Sequence, residues 1–446
     1  MKRKLCALMA AILAMSSLAG CGGGNETADS GVDVVRVWSG DGGGRTVWEE
    51  LVTEFNETTG KEKGIKIEWT TIMDQQQVQV AYQNGQLPEI VACTNQDGKK
   101  MAATGDILPL EDFEGGKELL DEYDTIEQVD FNVYDGKIYG LISGCTVAGL
   151  IYNKDLFKQA GIVDENGEAK PPKTVDEMVE AGKKITALGN DIYGYAFPLK
   201  FSTYYTMTMP FATSYKNLNG TKYDFDNKTV DRSEIKGAWE TMLKLKDAGV
   251  CFPGAESLDN DTARAYFAEG KIGMFPAISW DVGVFTTQFI AKCDWDVAPY
   301  PTLTGEKVSP TFLNIGGGYK ISKNAKKIPD EKIIEVYRFM TSLKTRATMF
   351  ERGISLSDKT DVLDVADTSK LDPRFVKFQE LVDEDFQIRP EVRYTVEDKT
   401  DYFMKAWLGE MTLDEAFDTS TKVQNEAFKK AIESGELDVE FLKQYY

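Results

Sequence analysis

The sequence predicts an α/β protein built as two lobes. Two observations carry this. Short β-branched runs alternate with amphipathic helical stretches through most of the chain, the pattern of βαβ units. The folded body starts near Asp33 and runs to Tyr446, roughly 410 residues, more than one core of ordinary size holds.

The elements follow in order. Lys2, Arg3 and Lys4 form a basic start. Leu5 to Met15 are apolar, matching the ~7–15 residues of a signal peptide and short of the ~20 of a membrane span. Leu18-Ala19-Gly20-Cys21 then resembles the lipobox of bacterial lipoproteins. Residues 1–20 are therefore expected to be a signal peptide. Cys21 is expected to be lipidated and to hold the mature chain on the outer face of a cell membrane. The alternative is an ordinary secretory signal with a chance cysteine. Residues 21–32 are small and polar and read as a flexible tether.

In the body, Val34–Trp38 reads as a strand that breaks at Ser39-Gly40. After Gly42, Gly43 and Gly44, residues Val47, Trp48, Leu51, Val52 and Phe55 share one helical face. Ile65, Ile67 and Trp69 alternate as a second strand, Val78 and Tyr82 lie on a helix, and Ile90–Cys93 is a short buried strand. This alternation indicates parallel sheets. Gly149–Tyr152 is another strand; Asn153 is placed to cap the next helix. Thr174 and Glu177 form a capping box for a helix reaching about Leu188. Helices are expected at about 233–247 and 261–269, with strands at Tyr193–Phe197, Ile272–Ile278 and Trp295–Ala298. Tyr319–Ser322 is a strand, Asp330–Leu343 a helix, and Thr412 and Glu415 cap a long amphipathic helix.

Composition narrows the function. Formal charge is −21, and the three basic residues of the start leave −24 on the mature body. No stretch is rich in Lys and Arg without interleaved acids, so a nucleic-acid partner is not expected. The high negative charge favours a soluble monomer. The chain has no histidine, which removes Ser-His-Asp and Cys-His catalysis and the commonest zinc ligand. Gly42–Gly44 suits an anion at a helix N-terminus but lacks the ending of a P-loop and the spacing of a dinucleotide fingerprint. No cofactor, metal or catalytic residue is expected. Cys93, Cys145, Cys251 and Cys293 remain in the body, with three full pairings or free thiols all open.

Asp135–Gly140, Gly149–Phe157, Ala160-Gly161, Pro171–Thr174, Gln86–Val91, Phe267–Met274 and Gly317–Lys323 together resemble the extracellular solute-binding proteins of ABC importers, in the family that includes maltose-binding protein. The resemblance spans nearly the whole body. It implies the two-lobed periplasmic-binding-protein fold of type II-like form, with a ligand cleft at the hinge. It implies no enzymatic activity, a small-molecule ligand, most simply an oligosaccharide, and a permease partner. A glycerophosphodiester, a polyamine or another metabolite is the alternative ligand, and a lipid-anchored glycoside hydrolase the alternative class. A Gram-positive-type cell is implied by the anchor. The lobes are expected at 33–145 with 309–352 and at 146–308 with 353–446, with crossings near 144–148, 304–310 and 352–358.

Ligands of open α/β sheets sit beyond the carboxyl ends of strands. That rule selects Trp38, Ser39, Gly40 and Asp41, then Cys93, Asn95, Gln96 and Asp97, then Cys145 and Thr146. From the other lobe it selects Lys200, Ser202, Tyr204, Trp280 and Asp281. Trp280 matches a family position that often stacks on a sugar ring. Gly316 and Gly317 suit close backbone approach; Arg389, Arg393 and Tyr394 match the family only loosely. Competing readings are core packing for Trp38, helix capping for Asp41 and a surface charge for Lys200. Cys93-Thr94-Asn95-Gln96 replaces the aromatic-acidic-basic cluster of maltose-binding protein, so a saccharide other than maltose is expected.

Overall fold

The computed structural model describes residues 31–446 except 73, 124, 126, 128–130, 316–317, 357–360 and 383–391. The expected signal peptide, Cys21, most of the tether, Gly316, Gly317 and Arg389 lie outside the described residues.

The first stretch runs β1 (Asp33–Ser39), α1 (Arg45–Glu57), β2 (Ile65–Thr71), α2 (Gln75–Gln83), β3 (Ile90–Val91), α3 (Asn95–Ala103) and β4 (Ile107–Leu108). The second contains β5 (Cys145–Thr146), β6 (Ala148–Asn153), α4 (Val175–Thr186), β7 (Tyr193–Tyr195), α5 (Ser233–Asp247), α6 (Asn260–Ala268), β8 (Ile272–Ile278) and β9 (Trp295–Ala298). The chain then returns through β10 (Asn314–Ile315), β11 (Lys320–Ser322), α7 (Asp330–Thr341) and α8 (Leu343–Glu351), and ends on a helical stretch with α9 (Leu413–Ser434).

These elements form the α/β periplasmic-binding-protein fold around two main sheets, with strand orders β2-β1-β3-β11-β4 and β9-β6-β8-β7. The expectation of parallel sheets needs correction, because both are mixed. β1 runs parallel to β2 and β3, but β11 is antiparallel to β3 and β4. β6 is antiparallel to β8 and β9, and β8 is parallel to β7. The antiparallel strand of the first sheet enters from a distant part of the chain, so no βαβ crossover fixes its direction.

Periodicity placed the helices well. α1 buries Val47, Trp48, Leu51, Val52 and Phe55, all on its expected face. Thr174 and Thr412 each accept from the third helical N–H while Glu177 and Glu415 reach back to them, satisfying amides that helix ends leave open. Asn153 Oδ1 accepts from Leu156 N–H at 3.1 Å. Gly435 takes a left-handed φ of 75° beyond α9, a conformation open to a residue without Cβ.

Three chain segments meet between the sheets. β5 pairs with β10 through Cys145↔Ile315 and Thr146↔Asn314, and Cys145 also bridges to Leu356. The second crossing was expected near 304–310. In that segment Val308 N–H donates to the Thr213 carbonyl, and Ser309 Oγ to the Ala212 carbonyl. α8 joins both sides, since Met349 packs in the first core while Ala347 and Phe350 pack in the second. The four described cysteines are free thiols.

Candidate binding site

A cavity of about 470 Å³ lies where the three segments meet. Its walls come from both sheets. Gly40, Asp41, Trp48, Cys93 and Tyr319 line it from the first, and Trp280 from the second; Gly144, Thr146, Asn314 and Ser355 line it from the segments between.

Pleat alternation sets which residues face it. Successive strand residues point to opposite faces. Ser39 Oγ meets Tyr319 Oη at 2.8 Å on the α1 side. Trp38 therefore points the other way, into an outer groove beside Arg36 and Leu87. That corrects its selection as a cavity residue. Burial raises the Tyr319 phenol well above its ordinary value, so it stays neutral as a hydrogen-bonding group.

Asp41 braces the loop that leads into α1 and lines the cavity at once. Its Oδ1 accepts from Gly44 N–H at 2.7 Å and its Oδ2 from Trp48 Nε1 at 3.3 Å. Of the Gly42–Gly44 amides, that of Gly44 is thus taken by the chain's own carboxylate. Trp48 stacks on Trp69, with ring centroids 4.4 Å apart, and meets Tyr319 edge-on at 6.2 Å. On the facing wall Trp280 meets Tyr205 edge-on at 5.6 Å, and Tyr205 stacks on Phe201. Asn314 ties the walls together. Its side chain reaches Tyr205 and donates to Thr146 Oγ1 at 3.3 Å.

Charge inside is scarce among the described lining residues. Arg346 is the one cation, and its guanidinium makes a two-pronged pair with Asp361 at 2.8 and 2.7 Å. Lys320 is buried one layer behind Cys93, donates to the Phe131 carbonyl at 3.2 Å, and is pulled down to about 8 by burial. Burial pushes the Cys93 thiol up to about 11, so it is a neutral wall group rather than a nucleophile.

Of the selected residues, Gly40, Asp41, Cys93, Cys145, Thr146 and Trp280 come together at the cavity. Others do not. Asp281 is turned inward, where it accepts from Arg264 Nε at 2.9 Å and Ile278 N–H at 2.8 Å. Burial raises its pKa, and the arginine works against that rise. Asn95, Gln96 and Asp97 open α3, and the Thr94 hydroxyl occupies the Asp97 carboxylate at 2.6 Å. Lys200 is exposed, and Ser202 Oγ accepts from Tyr204 N–H at 3.2 Å. Tyr204 reaches the site only indirectly, edge-on to Tyr205. Arg393 is exposed beside Tyr394, whose hydroxyl donates to Gln424 in a separate core under α9.

Sequence reasoning missed Trp48, Tyr205, Asn314, Tyr319 and Arg346. Trp48 read as helix core, which it also is. Tyr205 sits one residue past the tyrosine that was chosen.

The profile of the bacterial extracellular solute-binding protein family matches residues 40–347. The chain belongs to this family. These are binding proteins, not enzymes. The chain is 30% identical over 334 residues to the sn-glycerol-3-phosphate-binding periplasmic protein UgpB of Brucella abortus, covering 71% of this chain and 72% of that protein. A second binding protein of Brucella abortus is 32% identical over 147 residues, 32% of this chain and 33% of the relative, so the chain spans about a third of that relative's length. In fold the chain is similar to the GacH receptor of Streptomyces glaucescens, solved free and with acarbose, at a TM-score of 0.68 and 19% identity over 90% of this chain and 99% of that one. It is also similar to the maltose/maltodextrin-binding domain MalE of Bdellovibrio bacteriovorus bound to maltotriose, at a TM-score of 0.62 and 21% identity over 90% and 100%.

Proposed function

We propose that this family member is the receptor of an ABC importer that captures an oligosaccharide between its lobes and hands it to a permease. The observation that supports a sugar is the pairing of aromatic rings on opposite walls with neutral hydrogen-bonding groups. Trp48, Tyr319 and Trp280 line a cavity furnished with the neutral groups of Thr146 and Asn314, and Tyr205 backs Trp280 edge-on. A pyranose offers hydroxyls to such polar groups and its C–H face to such rings.

The lobes in this reading are 33–145 with 309–352 and 146–308 with 353–446, and the pairing of β10 with β5 lies beside the first and second junctions. Ligand contact with both walls favours the closed arrangement by its differential affinity for it. Cys21 carries the lipid anchor of an extracellular monomer, a point that intact-mass spectrometry of the membrane fraction tests.

The likeness to a glycerol-3-phosphate-binding protein favours a second reading, a phosphate ester. The cavity argues against it, because the one described lining cation is already paired with Asp361 and a phosphate dianion calls for free cationic donors. A thermal-shift titration with maltotriose, raffinose and sn-glycerol 3-phosphate separates the two. A ligand at 100 times its Kd adds about 2.7 kcal/mol of stability. A shift with a saccharide and none with the phosphate ester supports the proposal; the reverse overturns it.

A further inference from the structure

Another cavity, of about 600 Å³, lies beside β9, the edge strand of the second sheet. None of its described lining residues belongs to the cavity between the sheets. Its walls are apolar, formed by Pro171, Pro172, Met209, Pro210, Tyr300 and Phe312. Prolines hold φ fixed, so these walls are stiff. Tyr300 offers its ring rather than its hydroxyl, because its Oη is bonded to Tyr195 Oη at 2.6 Å.

One polar group breaks this apolar lining. Thr302 lines the cavity and is 6% exposed, and its Oγ1 has no hydrogen-bond partner. Folded proteins pair almost all of their buried hydroxyls, since an unpaired one is destabilising. The backbone fixes where this one sits. Thr302 N–H donates to the Lys173 carbonyl at 3.2 Å, and Val175 N–H donates to the Thr302 carbonyl at 3.2 Å. Thr302 is thereby held next to Lys173, which stands exposed at the rim with Lys170. With Lys307, three lysines against two glutamates, Glu306 and Glu380, leave the lining net positive on a chain of charge −21. The volume falls within the ~300–1,000 Å³ of small-molecule sites. Apolar walls suit a hydrocarbon body with aromatic character. A buried hydroxyl can donate to an acceptor, and an ammonium beside it favours an acceptor that is anionic.

We propose that this cavity is a second ligand site, and that it takes an arylalkyl carboxylate. The ring lies between the proline walls against Tyr300 and Phe312. The carboxylate accepts from Thr302 Oγ1 and from the Lys173 ammonium. The site stands apart from the cavity between the sheets and is filled whichever solute that cavity takes.

Calorimetric titration of the full chain with 3-phenylpropanoate, and with its neutral counterpart 3-phenylpropan-1-ol, tests the site. The carboxylate is expected to bind, and the alcohol to bind about tenfold more weakly. Thr302→Val, near-isosteric and lacking only the hydroxyl, weakens the carboxylate by about tenfold, one hydrogen bond to a charged group. Lys173→Gln weakens it by about threefold, as for an exposed ion pair. Trp280→Ala, in the other cavity, leaves it unchanged. Without ligand, the melting temperature of Thr302→Val stays level or rises by about 1–3 °C, because an unpaired hydroxyl takes no bond with it. A fall in that temperature shows a hydroxyl already satisfied by ordered water and overturns the proposal. So does binding too weak to detect at about 10 mM carboxylate, or equal affinity for acid and alcohol. Wild-type affinity in Thr302→Val or Lys173→Gln, or lost affinity in Trp280→Ala, overturns it as well.

Discussion

Gly144→Ala is the sharpest probe of the junction between the sheets. A Cβ at 144 would lie 2.0 Å from Ser355 Oγ, and 3.2 Å from both Ser355 Cβ and the Leu356 carbonyl oxygen. Non-bonded heavy atoms rest at about 3.5–4.0 Å, so about 1.5 Å of space is missing at the hydroxyl. Ser355 relieves that contact by turning its side chain, which forfeits its hydrogen bond to the Leu356 carbonyl at 3.2 Å. The loss is about 0.5–1.5 kcal/mol. The two remaining tight contacts require small backbone shifts, and together the change costs about 1–3 kcal/mol. Urea unfolding measures it. The double variant Gly144→Ala, Ser355→Gly removes both serine atoms from the contact and leaves only the Leu356 oxygen. The double-mutant cycle is expected to show a coupling of about 1–2 kcal/mol. Additive effects, with a coupling below about 0.3 kcal/mol, would show that the segments carrying Gly144 and Ser355 do not touch, and the junction would have to be redrawn.

Three further outcomes follow from the same geometry. Trp280→Ala removes one aromatic wall and is expected to abolish the ligand-induced thermal shift while the free protein still unfolds cooperatively; retained binding would refute its role. Asp281→Asn breaks the buried pair with Arg264, costing about 3–5 kcal/mol in stability, and should leave ligand affinity alone because its carboxylate faces away from the cavity. Lys320 has a folded pKa of about 8 against 10.5 for an ordinary lysine. Between those values the unfolded chain holds a proton that the folded one has shed, so stability rises with pH across that window and the penalty is full below it. Relative to Lys320→Met, wild-type stability in urea should therefore gain about 2 kcal/mol from pH 8 to 10; equal pH profiles would refute the lysine's burial as a charged group.

Much of the fold was legible because its signals are local. The face of α1 and the capping boxes at Thr174 and Thr412 depend on residues within a few positions of each other. The pairing of Cys145–Thr146 with Asn314–Ile315 has no such signal. Two residues show no period, and their partners lie far along the chain. Sheet direction was misjudged for the same reason, since nothing around Lys320–Ser322 declares which strands it will join. At the site, the strand-end rule found the right loops but not the side-chain directions. Asp281 looked like a ligand group from its place after β8. Its conversion to a structural anchor depends on Arg264, which arrives from α6. Trp48 shows the opposite error, because a buried helix residue at the rim of a cleft serves core and cavity together.

The insertion of β11 between β3 and β4 has a consequence for how the chain comes to be folded. A central position of the first sheet stays empty until about two hundred residues beyond β4 have been made, a delay of about 10–40 s at common rates of synthesis. Until then β3 and β4 present open edges, and the first core lacks α7 as well. Contacts this distant in sequence also form slowly. A nascent chain thus keeps its first sheet incomplete, and that sheet closes only after the latter half of the chain has been made.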